Sequence, residues 1–297
     1  MPTDSPESSL SSKATRPFGA HMSIAKGAHL AIDRAAQVEA TALQIFVRNQ
    51  RRWQAPPLTE EAATTFRDRY AESPLQFLCA HAGYLINLAS PDPKLRHQSE
   101  RALEDEMSRA HALGCECLVM HPGSPRDESK ERGVERLSKA LLRVLEKTAL
   151  STVRIALENT AGQGNVLGAG FAELGDIISA CGSHPRLAMC FDTCHAFAAG
   201  YDLRTSRGVR KTFEEVDECV GLDRLVVLHL NDSIGKLGSH RDRHDHIGKG
   251  EIGEAGFLSI LQEPLIRHVP GVLETPKDEK TLEEDRVNLA LLRRLHG

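Results

Sequence analysis

From Phe18 onward the chain alternates short, continuously apolar runs with longer segments of helical period. The runs are FGAHM (18–22), LQIFV (43–47), LQFLCAH (75–81), CLVMH (117–121), VRIALE (153–158), LAMCFD (187–192), LVVLHL (225–230) and GVLE (271–274). Most lack polar alternation, the pattern of strands covered on both faces. Helical spacing and stop signals mark 97–114, which ends in Gly114, and 128–149, with Leu137, Leu141, Leu142 and Leu145 at helical intervals. Two further helices fall at 171–182, again ending in glycine, and at 287–295. Eight strands, each followed by a helical stretch, match in count and length a single-domain α/β fold, the (β/α)8 TIM barrel, over residues 18–297. A doubly wound open sheet is the alternative. It calls for a glycine-rich phosphate turn after the first strand, and GAHMSIAKGAH is not one.

The polar residues fall at the ends of these runs. His81, His121, Glu158, Asp192, His229 and Glu274 sit at or near the C-terminal ends of strands three to eight, and His195 follows Asp192 by three positions. In a barrel those ends converge on one mouth, where active sites lie. The stretch HRDRHDHIGKG (240–250) adds Asp242 and His244, which an extended loop turns to the same side. Histidine with aspartate and glutamate suits zinc, manganese or iron better than magnesium. A lone histidine at a strand end is more often a hydrogen-bonded core residue, and a lone glutamate a salt-bridge partner. The joint pattern at six successive ends is not expected on that account. Nine donors exceed what one ion takes, so two or three ions are implied, with a carboxylate such as Glu158 able to bridge two. Clustered cations suit phosphoryl chemistry, since they activate water and stabilise attacking and leaving oxygens.

Composition narrows the setting. The net charge of −4 gives no global basic field for nucleic acid, so any phosphate must be drawn by a local patch or by bound cations. Seven cysteines without a CxxC pair read as reduced, mostly buried thiols of a cytoplasmic protein; Cys190 and Cys194 read as small residues at a packed strand end. No run is long enough for a membrane span. Residues 1–17, Ser- and Pro-rich without an apolar signal core, read as a disordered tail.

HAGYLINLAS (81–90), CFDTCH (190–195) and NDS…GSHRDRHDHIGKG (231–250) closely resemble the three signature segments of the endonuclease IV family of apurinic/apyrimidinic (AP) endonucleases. HPG (121–123), ENTAGQG (158–164) and LET (273–275) also look like that family, and order and spacing agree from about Phe18 to the C-terminus. The resemblance implies a TIM barrel with three zinc ions per chain, acting on double-stranded DNA with abasic sites or blocked 3′ ends. It implies hydrolysis of the phosphodiester 5′ to the abasic site, leaving a 3′-hydroxyl, and removal of 3′-blocking groups. Carried over by motif, one zinc is held by His81, His121 and Glu158. A second is held by Glu158, Asp192, His229 and Glu274, and a third by His195, Asp242 and His244. Glu158 is the residue expected to matter most for catalysis. A nucleoid-associated monomer is expected, because the site is complete within one chain.

RNQRRW (48–53), after the second strand, offers Arg48, Arg51 and Arg52 for phosphates and Trp53 for stacking or wedging. A charged surface loop with Trp53 half buried is the plainer reading; the similar family segment enters DNA near the lesion. Tyr84 looks like the family residue beside the abasic pocket. Ile234 stands where the family often has a basic residue, and Lys249 where a glutamate is common; neither is a ligand position. His21 is left unassigned. The rival function on the same fold is a sugar isomerase or epimerase with divalent ions, which needs no third group of His195, Asp242 and His244.

Overall fold

The computed structural model describes residues 16–297. Eight parallel strands close a barrel: β1 (Phe18–Met22), β2 (Ala42–Phe46), β3 (Phe77–His81), β4 (Cys117–Met120), β5 (Arg154–Glu158), β6 (Leu187–Asp192), β7 (Leu225–His229) and, after a two-stranded ribbon of β8 (Asp232–Ser233) and β9 (His244–Asp245), β10 (Gly271–Leu273). All eight apolar runs are therefore barrel strands. The outer helices are α1 (Leu30–Gln37), α2 (Glu60–Ala71), α3 (Pro93–Leu113), α4 (Lys130–Lys147), α5 (Phe171–Ala180), α7 (Ser206–Cys219), α8 (Gly253–Leu261) and α9 (Glu283–His296), with a short α6 (Thr193–Ala199) directly after β6. Among the described residues no helix is long and apolar enough to cross a membrane.

Helix boundaries differ from the sequence reading where capping overrides periodicity. α3 begins at Pro93 because Asp92 accepts from the Lys94 amide and proline suits the first turn, and it ends at Gly114 in the left-handed region (φ 82°). Ser129 caps α4 by accepting from the Arg132 amide. The expected tail of residues 1–17 lies, through residue 15, outside the described residues. Arg16 is buried and donates to the carbonyls of Ile266 and Arg267, and the Pro17 carbonyl accepts from Gly271, so these two belong to the barrel's lower end.

The apolar side chains form two layers. Leu, Ile, Phe and Met fill the space between barrel and helices. The barrel interior is lined by Ala42, Phe77, Cys79, Cys117, Val119, Ala156, Ala188, Cys190, Val227 and Val272. An eight-stranded barrel is only just wide enough for side chains, which favours small ones there. Three of the seven cysteines take part in this filling; all seven are unpaired, six of them buried.

The helix ring is tight where α5 meets the end of α7. A Cβ added at Gly175 would lie 2.2 Å from the Cys219 carbonyl oxygen, a backbone atom that cannot swing aside. Gly175→Ala is expected to lower unfolding stability by about 1–3 kcal/mol through overpacking. Urea unfolding of the two proteins measures it, and an unchanged midpoint would show that the helices part freely.

Candidate metal centre

Period-two alternation builds the site. On each strand the residue two beyond a barrel-lining residue faces the mouth. Cys79 leads to His81, Val119 to His121, Ala156 to Glu158, Cys190 to Asp192, Val227 to His229 and Val272 to Glu274. Strand register levels them: Asp192 stands opposite His229, helped by a register shift at Met189/Cys190, and Glu158 stands opposite Cys190. All six strand-end donors of the sequence reading thus come together.

Glu158 is the hub, with zero exposure. Its Oε2 lies 3.3 Å from His81 Nε2 and 3.1 Å from His121 Nε2. Its Oε1 lies 2.9 Å from His229 Nδ1 and 3.3 Å from His195 Nδ1. Asp192 caps α6, its Oδ1 accepting from the His195 amide, while Oδ2 accepts from Asn231 at 2.7 Å. That cap folds the strand end back into a helix and carries His195 to the mouth. His195 Nε2 faces Asp242 Oδ1 at 3.3 Å, and His244 Nε2 faces the same oxygen at 3.4 Å.

The segment carrying Asp242 and His244 is fixed at both ends. His244 pairs with Ser233 in the β8–β9 ribbon. The buried carboxylate of Asp232 accepts from the amides of Ser233, Gly250, Ile252 and Gly253, closing the loop on itself. A Cβ at Gly250 would strike the Ser233 carbonyl oxygen at 2.4 Å, so glycine is needed for that approach. Sequence reasoning missed Asp232, as it missed Asn159 and Asn231, which tie the ends of β5 to β6 and of β7 to β10: Asn159 bonds to Asp192 N and O, and Asn231 Oδ1 accepts from Glu274 N. Asn159 directly follows Glu158, and Asn231 and Asp232 follow His229 within three positions, so closeness to a donor was their one signal.

Three groups of donor atoms lie close enough to share an ion: His81–His121–Glu158, Glu158–Asp192–His229–Glu274, and Asp192–His195–His244, the last joined by Asp242 through the contacts above. Asp192 reaches two of them. Cys190 also groups with Glu158 and His229, but burial pushes its thiol pKa up, which keeps it a neutral core side chain. The residues fit divalent cations. His244 Nε2 is buried without a hydrogen-bond partner, and four carboxylates meet five imidazoles of the nitrogen/oxygen donor type.

The electrostatics are those of a pocket built around positive charge. Burial alone would raise the Glu158 pKa, yet His229, His121 and His195 hold it well below the usual range. Glu274 is held down in the same way, against burial, by His229, His21 and His81. Burial would lower His195, but Asp192, Asp242 and Glu158 raise it well above its ordinary value; His229 is raised, against burial, by Cys190, Glu274 and Glu158.

Around the mouth the expected DNA contacts separate. Arg51 and Arg52 are exposed, and Trp53 is half buried against the core. Tyr84 is 65% exposed, edge-on to Phe46 at 5.5 Å. Arg48 is a correction: it is 8% exposed and turned inward, its Nε donating to Glu106 Oε1 at 2.8 Å and its Nη1 to the Trp53 carbonyl. Its charge is consumed by that carboxylate, so it shapes the loop from below rather than meeting phosphate. Exposed Arg241 and Arg243, alternating with Asp242 and His244 in RDRHD, were not assigned; the same alternation that turns the ligands inward turns them outward. Cavities of 560 Å³ beside α9 and 480 Å³ beneath the barrel lie away from this cluster.

Comparison with known proteins agrees with this geometry. Residues 32–295 match the family model described as a xylose isomerase-like TIM barrel. A probable endonuclease 4 from Oleidesulfovibrio alaskensis is 47% identical over 94% of this chain and 94% of its own. The crystal structure of endonuclease IV from Thermus thermophilus superposes with a TM-score of 0.82 at 36% identity, covering 94% of this chain and 98% of that one. A D-tagatose 3-epimerase-like protein, 20% identical with a TM-score of 0.71 over 94% of this chain and 98% of its own, shares the fold.

Neighbouring carboxylates raise the pKa values of His195 and His229 in the ion-free protein, so a cation competes with protons for their lone pairs. Adding Zn2+ to ion-free protein in weak buffer at about pH 7 is expected to release protons, and ion affinity to fall toward about pH 5.5. A pH-stat titration reads this directly; uptake with no proton release would contradict it.

Proposed function

The chain belongs to the endonuclease IV family of xylose isomerase-like TIM barrels, and from that premise we propose that it hydrolyses the DNA phosphodiester 5′ to an abasic site, leaving a 3′-hydroxyl, and clears blocked 3′ ends. The observation that carries the reading is the three donor groups sharing Glu158 and Asp192 at one barrel mouth, beside an exposed basic and aromatic rim.

Three zinc ions fit those groups. His81, His121 and Glu158 hold one; Glu158, Asp192, His229 and Glu274 hold another; His195, Asp242 and His244 hold the third. Zinc so held lowers the pKa of water toward about 7 and neutralises charge on phosphate oxygens. Glu158 would serve two of these groups, its Oε2 facing His81 and His121 and its Oε1 facing His229, and it stays ionised because imidazoles surround it. Arg51 and Arg52 steer the backbone phosphates to the mouth, and Arg241 and Arg243 flank the third group. Tyr84, standing on Phe46 and His81, offers its ring face to the exposed sugar. An abasic sugar turns out of the duplex cheaply, because no base pair is lost. The enzyme works as a monomer on duplex DNA in the cytoplasm, at the nucleoid.

The zinc-loaded protein is expected to nick a duplex carrying one abasic site on its 5′ side and leave a 3′ end that a polymerase extends, while an undamaged duplex survives. A gel that shows no nick, or a 3′ end the polymerase refuses, overturns the reading. Glu158→Gln is expected to melt near the parent temperature yet turn over slower by orders of magnitude. Near-parental cleavage by that variant with full zinc would remove Glu158 from the chemistry.

A further inference from the structure

Four of the five mouth histidines have one ring nitrogen held by a fixed oxygen. His81 Nδ1 lies 2.8 Å from the Ala82 carbonyl, His195 Nδ1 3.0 Å from that of Asn159 and His244 Nδ1 3.2 Å from that of Glu274. A carbonyl only accepts, so each of these nitrogens donates, and the lone pair is left on Nε2, facing the donor groups. His229 is the exception. Its Nε2 lies 2.9 Å from Gln44 Oε1, and its Nδ1 faces Glu158, Glu274 and Asp192.

Gln44 is the polar residue inside the otherwise apolar β2, on the barrel-lining face two beyond Ala42, and it has zero exposure. Its amide is used on every side. Nε2 donates to Glu274 Oε1 at 2.6 Å and lies 3.0 Å from His21 Nδ1. Oε1 takes the His229 N–H and, at 3.3 Å, the Cys79 thiol. These partners fix which way the amide points. Oε1 must meet the imidazole N–H and the thiol, and Nε2 must meet the carboxylate and the second imidazole.

We propose that Gln44 is a positioning residue for the central ion. One amide selects the Nε2–H tautomer of His229, so that Nδ1 presents its lone pair, and at the same time fixes the carboxylate of Glu274. Both residues belong to the Glu158–Asp192–His229–Glu274 group, and neither belongs to the His81–His121–Glu158 or the Asp192–His195–His244 group. Among the fixed oxygens that orient mouth histidines, the one on Gln44 belongs to a side chain and can be removed without breaking backbone. The inference rests on the metal reading of the site but not on the DNA substrate.

The test compares parent, Gln44→Met and Gln44→Glu by zinc titration against a chromophoric chelator, with melting curves taken with and without zinc. Methionine keeps the volume and removes both bonds. Glutamate keeps an acceptor for His229 but faces Glu274 with a second carboxylate. Both variants are expected to lose affinity at one class of site by about 10–100-fold, the others staying at parental affinity, and Gln44→Met to gain less melting temperature from zinc. In Gln44→Met, raised zinc should restore turnover on the abasic duplex, which a misfolded barrel would not allow. Parental affinity at every site in Gln44→Met, or uniform weakening of all sites, overturns the proposal. A parent that binds zinc but leaves the abasic duplex intact defeats the proposed function while the titration still decides Gln44.

Discussion

The carboxylate of Glu158 lies out of reach of water with an imidazole at each approach, and the cost of keeping a charge there organises the mouth. An isolated buried carboxylate would lose several kcal/mol of hydration, or take up a proton. Here four histidines from β3, the end of β4, α6 and β7 surround it, and their partial or full positive charge keeps it ionised. Cations satisfy the same demand better than protons do, because an ion meets several lone pairs at once.

The frame that holds these groups is backbone rather than side-chain packing. The histidines of β3, α6 and the ribbon are aimed by carbonyl oxygens, which the barrel holds in place, and Asn159 and Asn231 lock neighbouring strand ends to each other. The ribbon segment is not part of the barrel sheet, and it is made rigid by a different device, the Asp232 carboxylate gathering amides from both ends of the loop. Donors are therefore pre-aligned before any ion arrives, which keeps the ordering cost of binding small.

Much of this was legible in the sequence because double-covered parallel strands write themselves as unbroken apolar runs, and because donors at strand ends interrupt those runs visibly. The endpoints of β3, β5 and β6 fall on His81, Glu158 and Asp192 as read, and β7 ends on His229, one residue before the end of the run at Leu230. What stayed hidden depends on partners distant in sequence. Arg48 looked like a phosphate contact because RNQRRW is locally basic; its partner Glu106 lies on α3 and no local pattern announces it. Gln44 is one polar residue within an apolar run, and its partners His229 and Glu274 lie about 185 and 230 positions further along the chain. α6 is too short for a periodic signal, and α8 is too apolar all round to show a face, so neither was read.

The barrel itself does not choose the chemistry, since an epimerase-like protein shares it at 20% identity. The choice is made outside the sheet. Strands β3 to β7 and β10 supply donors for two of the groups; the third needs His195 from the capped α6 and Asp242 with His244 from the ribbon segment. A sugar needs its carbonyl and hydroxyls held by one or two ions, whereas a phosphodiester presents more anionic oxygens over a longer reach. The added segment answers both needs at once: it brings donors inward and, by the same alternation, exposes Arg241 and Arg243 outward on the rim. Ile234, 60% exposed at the root of that segment, puts an apolar side chain where a cation would extend the basic surface, so the exposed positive charge of this rim is carried mainly by the arginines of the segment and of the loop after β2.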